Sequence, residues 1–163
     1  MNEKQQLQLK LKLNELRELW HHFCEKHTEL YEFTCDEYIH LMSSNIEELD
    51  NTLKRKNETI SSINQLETQR SALAEDISAL YQVEKTHKLS ELIEVLKDNK
   101  ELSLAAEIEG LNAVLLDIIN KIQEQNKKNQ VFLNKAIISL NELKESFGGK
   151  VNFKTYSSNG MTR

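Results

Sequence analysis

No proline occurs anywhere in this 163-residue chain, and no glycine occurs before Gly110. Sheet proteins reverse direction every few residues, and their turns are built largely from glycine, proline, asparagine and aspartate. A stretch of over one hundred residues that lacks the first two of these argues against an all-β or α/β domain. The sequence therefore predicts a single all-α domain made of long helices.

Charge and hydropathy exclude several kinds of protein. The longest apolar stretch, 113–119, is short and contains Asp117, so we expect no membrane insertion. The net charge of −5 argues against nucleic acid as a partner. The N-terminus has no uninterrupted apolar core typical of a signal peptide, and two cysteines are too few for a disulfide framework. We therefore expect a cytoplasmic protein.

The apolar residues recur with the alternating spacing of three and four that places them on one helix face. In the first helix this seam comprises Leu9, Leu13, Leu16, Trp20, Phe23, His27, Leu30, Thr34, Glu37 and Leu41. Three of its positions, His27, Thr34 and Glu37, are polar, and we interpret them as setting register rather than catalysing. A seam of this length requires partner helices along it.

A break at 42–45 separates the first helix from the second. Ser44, with Glu47 three residues later, matches a capping box, so we expect the second helix to start near Asn45. Residues 86–98 form a connector with some helical pattern of its own. A third long helix then runs to Phe147, where Gly148-Gly149 ends it.

These lengths predict an elongated antiparallel bundle of three long helices with a short helical connector. The third long helix returns along the second, and its last turns project past the end of the bundle. We divide the chain into a helical bundle domain, 1–147, and a flexible tail, 148–163. The tail is basic because it contains Lys150, Lys154 and Arg163 and no acidic residue.

A Glu-x-x-His motif occurs three times and is the strongest sign of an enzyme. The motif lies at Glu18/His21, Glu37/His40 and Glu84/His87. Di-iron bundles bring two such motifs together, but the predicted helices hold the last two about 50 Å apart. A zinc site at His21, Cys24 and His27 would need a fourth ligand or an open water position supported by another helix. We therefore predict no enzyme, cofactor or metal, with a helical metalloprotein as the alternative.

The end of the third long helix is more apolar than a bundle helix requires. Nine of the seventeen residues at 131–147 are apolar, whereas about three in seven are enough for a bundle helix. They are Val131, Phe132, Leu133, Ala136, Ile137, Ile138, Leu140, Leu143 and Phe147. Two compatible interpretations stay open. The surplus packs in the bundle and against a self-association partner, or it forms a surface for an amphipathic partner helix.

Two stretches of the sequence resemble the FlgN-type family of flagellar export chaperones. The first, LMSSNIEELDNTLKRKNETISSINQLETQRSAL, is similar to the family's helix break followed by Lys56, Glu67 and Arg70 at the expected spacing. The second is QEQNKKNQVFLNKAIISL, and it carries the family positions Asn126, Asn129 and Gln130. The ending with Tyr156 and Gly160 resembles the family's Tyr-x-x-x-Gly. The resemblance extends over nearly the whole chain.

This resemblance implies a cytoplasmic chaperone of type III protein export during flagellum biogenesis. Such a protein binds the C-terminal segments of the two hook–filament junction proteins, prevents their premature assembly and delivers them to the cytosolic domain of the export gate. The implied substrate contacts lie at the end of the third long helix, and a tail tyrosine, Tyr156, is the implied gate contact. We assign substrate binding to Val131, Phe132, Leu133, Ile137, Ile138, Leu140 and Phe147. The alternative is a structural coiled-coil adaptor or a self-associating helical protein, and a homo-oligomer fits either hypothesis.

Overall fold

The computed structural model describes residues 1–148, and the regular structure of these residues is entirely helical. The four helices are α1 (Glu3–Met42), α2 (Ile46–Tyr81), α3 (Leu89–Asp98) and α4 (Leu102–Ser146). The prediction of an all-α fold is confirmed. None of the helices in this described part is long and apolar enough to cross a membrane.

Helix α1 lies in the middle of the bundle and packs against both α2 and α4. Residues that come later in α1 bond to residues that come earlier in α2, so these two helices are antiparallel. Residues that come later in α1 bond to residues that come later in α4, so α1 and α4 are parallel. As expected, α4 runs antiparallel to α2, but its backbone packs beside α1 rather than α2.

The connector predicted at 86–98 contains a true helix, α3, that belongs to the core. It packs against α4 and α2. Its side chains Leu92, Ile93 and Leu96 are buried, and Leu96 has no exposed surface. The short α3 therefore adds a fourth helix at one end of the bundle.

The apolar core is concentrated at that same end, which we call the core end. It contains the first half of α1, the last turns of α2, all of α3 and the first third of α4. Its buried members are Leu9, Leu13, Leu16, Leu19, Trp20, Phe23, Leu73, Ala74, Ile77, Leu92, Ile93, Leu96, Leu104, Ala105, Ile108 and Leu115. We call the opposite end, where residues 43–45 join α1 to α2, the hairpin end.

The hairpin is closed differently from the sequence prediction. The N-cap of α2 is Asn45, whose side-chain oxygen accepts a hydrogen bond from the backbone N–H of Glu48. Ser44 does not cap the helix because it takes a left-handed backbone conformation, with φ of 53°, in the turn after α1. At the other terminus the glycine prediction is confirmed, since Gly148 has a φ of +62° directly after the C-cap of α4.

Helix α4 extends past the end of the bundle. The rings of Phe132 on α4 and Tyr38 on α1 meet edge to face, with centroids 5.8 Å apart. One turn later on each helix, Ala136 is level with Met42, where α1 ends. The remaining turns of α4 project by about 15 Å. We call residues 137–147 the overhang. Residues 149–163, which make up nearly all of the predicted tail, lie outside the described residues.

Candidate protein-binding site

One family-motif lysine connects three helices near the hairpin end. The Lys56 Nζ of α2 donates to the Glu37 Oε2 of α1 at 2.7 Å and to the Asn126 Oδ1 of α4 at 2.9 Å. The Glu37 side chain is 7% exposed and that of Lys56 is 15% exposed. Both charges are thus largely removed from water, and each depends on the other for a partner.

A second family-motif residue makes a similar contact one turn along α4. The Asn129 Nδ2 donates to the backbone oxygen of Thr34 at 2.9 Å, and its Oδ1 accepts from the Gln125 Nε2 at 2.9 Å. Asn129 and Thr34 are both buried. We call Thr34, Glu37, Lys56, Asn126 and Asn129 the polar layer. It confirms that Thr34 and Glu37 belong to the buried seam of α1.

The other motif pair lies towards the core end. The Arg70 guanidinium donates to both oxygens of Glu67, at 2.9 and 2.6 Å, and also to the backbone oxygen of His87 at 2.8 Å. These bonds hold the loop between α2 and α3 against α2. The arginine lowers the pKa of the Glu67 carboxyl through its hydrogen bonds. Gln130 bonds to Asn134 on its own helix instead.

Most of the motif positions that carry the family resemblance are engaged in bonds within the protein. Five of the six make bonds within the polar layer or the Arg70 junction. Four of these five bond to a separate element of the fold, whereas Glu67 bonds to Arg70 on its own helix. Bonds of this kind fix how the helices and the loop between α2 and α3 lie against one another. The sequence indicated a register-setting role for Thr34 and Glu37, because these polar residues interrupt an apolar seam. It gave no sign that Lys56 would bond to Glu37.

The residues considered for metal binding are separated in the fold. His21 lies 3.6 Å from Glu107, Glu37 pairs with Lys56, and His87 lies 3.5 Å from Glu75. Within residues 1–148, no group of three or more histidine, cysteine or acidic side chains is placed to hold a metal ion.

The proposed zinc trio has other bonds. The Cys24 thiol donates to the backbone oxygen of Leu111 at 3.5 Å, and burial raises its pKa. The His27 Nδ1 lies 2.7 Å from the backbone oxygen of Phe23. Both side chains are thus engaged in helix packing.

The structure divides the predicted substrate-binding residues between two faces of α4. Leu140 and Phe147 follow the face that packs on the bundle, and Leu143 lies between them on the same stripe. Val131 and Ile138 lie on the opposite face and are both exposed. Phe132, Leu133 and Ile137 are half-buried where α4 leaves the bundle.

The stripe on the overhang is open because the helices that would cover it have ended. Leu143 is 52% exposed and Phe147 is 83% exposed. At the same end, the hairpin exposes two further apolar side chains, Met42 and Ile46. We call the group Met42, Ile46, Leu133, Ile137, Leu140, Leu143 and Phe147 the distal apolar surface. Apolar side chains exposed together at a helix end suit an amphipathic partner helix.

Comparison with known proteins gives one match. The family model described as FlgN protein matches residues 4–163, which is almost the entire chain. No curated protein and no solved structure matches the chain. The all-helical bundle agrees with the fold that the resemblance of the sequence implies. The chain therefore belongs to the FlgN family of flagellar export chaperones.

Proposed function

We propose that this chaperone binds the C-terminal segments of the hook–filament junction proteins in the cytoplasm, through the distal apolar surface. The bound segment is held unassembled until it is delivered to the cytosolic domain of the export gate. The observation that carries this proposal is the overhang, where α4 continues its bundle-facing stripe past the ends of α1 and α2.

The overhang differs from the rest of α4 because α1 and α2 do not reach it, which leaves its bundle-facing stripe uncovered. Along the bundle, this face of α4 is covered by α1 and the helices around it. On the overhang the same face offers Leu140, Leu143 and Phe147 to solvent. An amphipathic helix of about three turns would continue the path of α1 and bury this stripe. A chaperone that must mask an assembly helix needs such a competing helix face rather than a catalytic pocket.

A matched pair of substitutions on α4 tests the binding site. Leu143 and Leu116 are 52% and 53% exposed, but Leu116 lies outside the distal apolar surface. We expect Leu143→Asp to weaken binding of a junction-protein C-terminal segment at least tenfold, about 1.4 kcal/mol. Leu116→Asp should leave the affinity unchanged. Isothermal titration with the full chain measures both, and circular dichroism checks that both variants keep their helices.

The result that would contradict the site is equal weakening by the two variants, or by neither. If the wild-type chain binds no junction-protein segment, the export-chaperone proposal loses its substrate. Self-association that ignores residues 149–163 would then favour the coiled-coil adaptor.

Residues 149–163 are tested separately because they lie outside the described residues. We propose that they add to substrate binding and that Tyr156 contacts the export gate. Size-exclusion chromatography with light scattering compares residues 1–163 with residues 1–148, each mixed with the junction-protein segment. A weaker complex of the shorter chain supports a role for the tail, whereas an indifferent complex places all of the binding on the bundle and overhang. Tyr156→Ala should reduce binding to the cytosolic gate domain and leave binding to the segment intact.

A further inference from the structure

We propose that the side of α4 facing away from the bundle binds a second partner, an acidic amphipathic helix of a protein other than the substrate segment. The observation is a basic and apolar surface between Lys127 and Ile138. Counted at about 100° per residue, five exposed side chains of this part of α4 fall within an arc of about 100°. We call these five residues the outer face: Lys127, Lys128, Val131, Lys135 and Ile138.

The outer face is left uncovered by the helices of residues 1–148. The backbone of α4 packs against α1 and α3. Helix α3 lies at the core end, and α1 lies on the other side of α4, where Asn129 bonds to Thr34. Val131 is therefore 53% exposed and Ile138 is 57% exposed. These two side chains are seven residues apart, so they lie on one stripe about two turns from each other. Heptad spacing of this kind suits a partner helix.

The charge of the outer face is opposite to that of the chain. Residues 125–141 contain three lysines and no acidic residue, whereas the whole chain has a net charge of −5. None of these three lysines forms an ion pair with another residue of 1–148. Their aliphatic stems also extend the apolar surface beside Val131 and Ile138. A partner with carboxylates beside an apolar stripe would complement both properties.

Acidic residues limit the outer face at both ends. Glu124 and Glu142 lie on the same side of α4, one turn before Lys128 and one turn after Ile138. The basic surface is therefore about 16 Å long, or three helical turns. Basic clusters that bind anionic membranes usually contain about four to eight cations, and an acidic chain is repelled by anionic lipid and by nucleic acid. The geometry thus favours a single acidic helix as the partner.

The outer face and the distal apolar surface lie on opposite sides of α4. A helix with its side chains is about 10 Å across, so the two surfaces can be occupied at the same time. The inference rests on the charge and exposure of the outer face and does not depend on the proposed function. If both hold, the chaperone can carry its substrate while a second protein binds it.

An acidic model helix tests the outer face with the full chain. The probe is a capped, fluorescently labelled peptide of about sixteen residues, long enough to be helical, with two isoleucines seven residues apart and glutamates on both sides of them. Fluorescence anisotropy at about 50 mM salt, where exposed charges are only partly screened, measures its affinity. One variant reverses the lysines of the outer face: Lys127→Glu/Lys128→Glu/Lys135→Glu. A control variant of equal net charge reverses three exposed lysines elsewhere: Lys4→Glu/Lys10→Glu/Lys54→Glu.

We expect the wild type to bind the peptide and the outer-face variant to bind it at least tenfold more weakly. The control variant should stay within about threefold of the wild type, because the peptide reads local rather than net charge. Val131→Ser/Ile138→Ser should also weaken binding, since it removes the apolar stripe. Leu143→Asp, on the distal apolar surface, should leave the affinity unchanged. Circular dichroism checks that each variant keeps its helices.

Failure of the wild type to bind the peptide overturns the proposal. Equal weakening by the two charge variants also overturns it, because net charge alone would then explain the binding. Weakening by Leu143→Asp would place the peptide on the distal apolar surface instead. Vesicles containing phosphatidylglycerol are the remaining probe, and their binding by the wild type without binding of the peptide would reassign the face to a membrane. Loss of junction-protein binding with peptide binding kept would contradict the proposed function alone.

Discussion

At the core end of the bundle, four helices bury leucine, isoleucine and aromatic side chains in one continuous cluster. At the hairpin end, three helices meet through the polar layer, while apolar side chains such as Met42 and Phe147 face solvent. Both ends are built on the same heptad spacing. The spacing therefore determines which residues meet, whereas the chemistry of those residues determines how firmly they hold.

The two ends therefore have different roles in a chaperone of this kind. The core end supplies the stability that keeps α4 in place. The hairpin end holds the helices in register with bonds that are specific but add little net stability. It also leaves the apolar side chains at the end of α4 exposed.

The largest expected effect comes from the core end. Ile108 is fully buried in the apolar cluster, and Ile108→Ala should lower the free energy of unfolding by about 4 kcal/mol. Ile122→Ala, nearer the hairpin end and outside the apolar cluster, should lower it by about 2 kcal/mol. Urea unfolding followed by circular dichroism measures both changes. Equal losses at the two positions would remove the contrast between the ends.

The next effect comes from the polar layer. Lys56→Ala leaves the buried Glu37 carboxylate without its ion pair, so we expect a loss of about 2–3 kcal/mol. Glu37→Leu combined with Lys56→Leu should restore the free energy of unfolding to within about 1 kcal/mol of the wild type, because no charge is left buried. Lys54→Ala is the control, since its pair with Asp50 is exposed, and it should cost under about 0.5 kcal/mol. A double variant weaker than Lys56→Ala would contradict this account.

A smaller effect, this time an increase in the free energy of unfolding, is expected where the backbone is strained. Gln82 closes α2 with a φ of 59°, a conformation that costs a residue with a side chain about 1 kcal/mol. Gln82→Gly should raise the free energy of unfolding by about 0.5–1 kcal/mol, and Gln82→Ala should give no gain. Ser44→Gly makes the same change at the hairpin end. If both glycine variants shift the whole urea transition, the two ends unfold together. If only Gln82→Gly shifts it, the hairpin end unfolds first.

The smallest effect depends on pH. Arg70 lowers the pKa of Glu67 in the folded chain below its ordinary value of 4.5, so the folded state is favoured when Glu67 is ionised. The contribution is complete above pH 4.5 and is lost as the pH falls through the lowered pKa. Since Glu67 is more than half exposed, we expect Glu67→Gln to cost under about 1 kcal/mol at pH 7. The difference from the wild type should shrink below pH 4.5, and urea unfolding at several pH values would show it.

Much of the fold could be predicted because apolar spacing carries the information. The seam of α1 was found from spacing alone, including the buried Thr34 and Glu37. The projecting end of α4 followed from helix lengths. The turns were harder because the chain closes them without glycine: Ser44, Gln82 and Lys100 all take left-handed conformations that their residue types do not announce.

The candidate site was less accessible to sequence reasoning. Its apolar composition indicated residues 131–147. Which of these residues face the bundle and which face away depends on how α4 is rotated against α1. The bonds of Lys56 to Glu37 and Asn126 likewise depend on the relative rotation of three helices. Spacing along one helix cannot supply that rotation. The docking role of the overhang stays a prediction.

The most direct test of this account is hydrogen exchange along α4, measured by mass spectrometry on the full chain. We predict the slowest exchange at 104–119, inside the apolar cluster, and much faster exchange at 137–146, on the overhang. Addition of a junction-protein C-terminal segment should slow exchange at 137–146 and leave 104–119 unchanged. Uniform protection along α4 in the free chain, or protection by the segment elsewhere, would contradict the claim that one helix is core at its start and docking surface at its end.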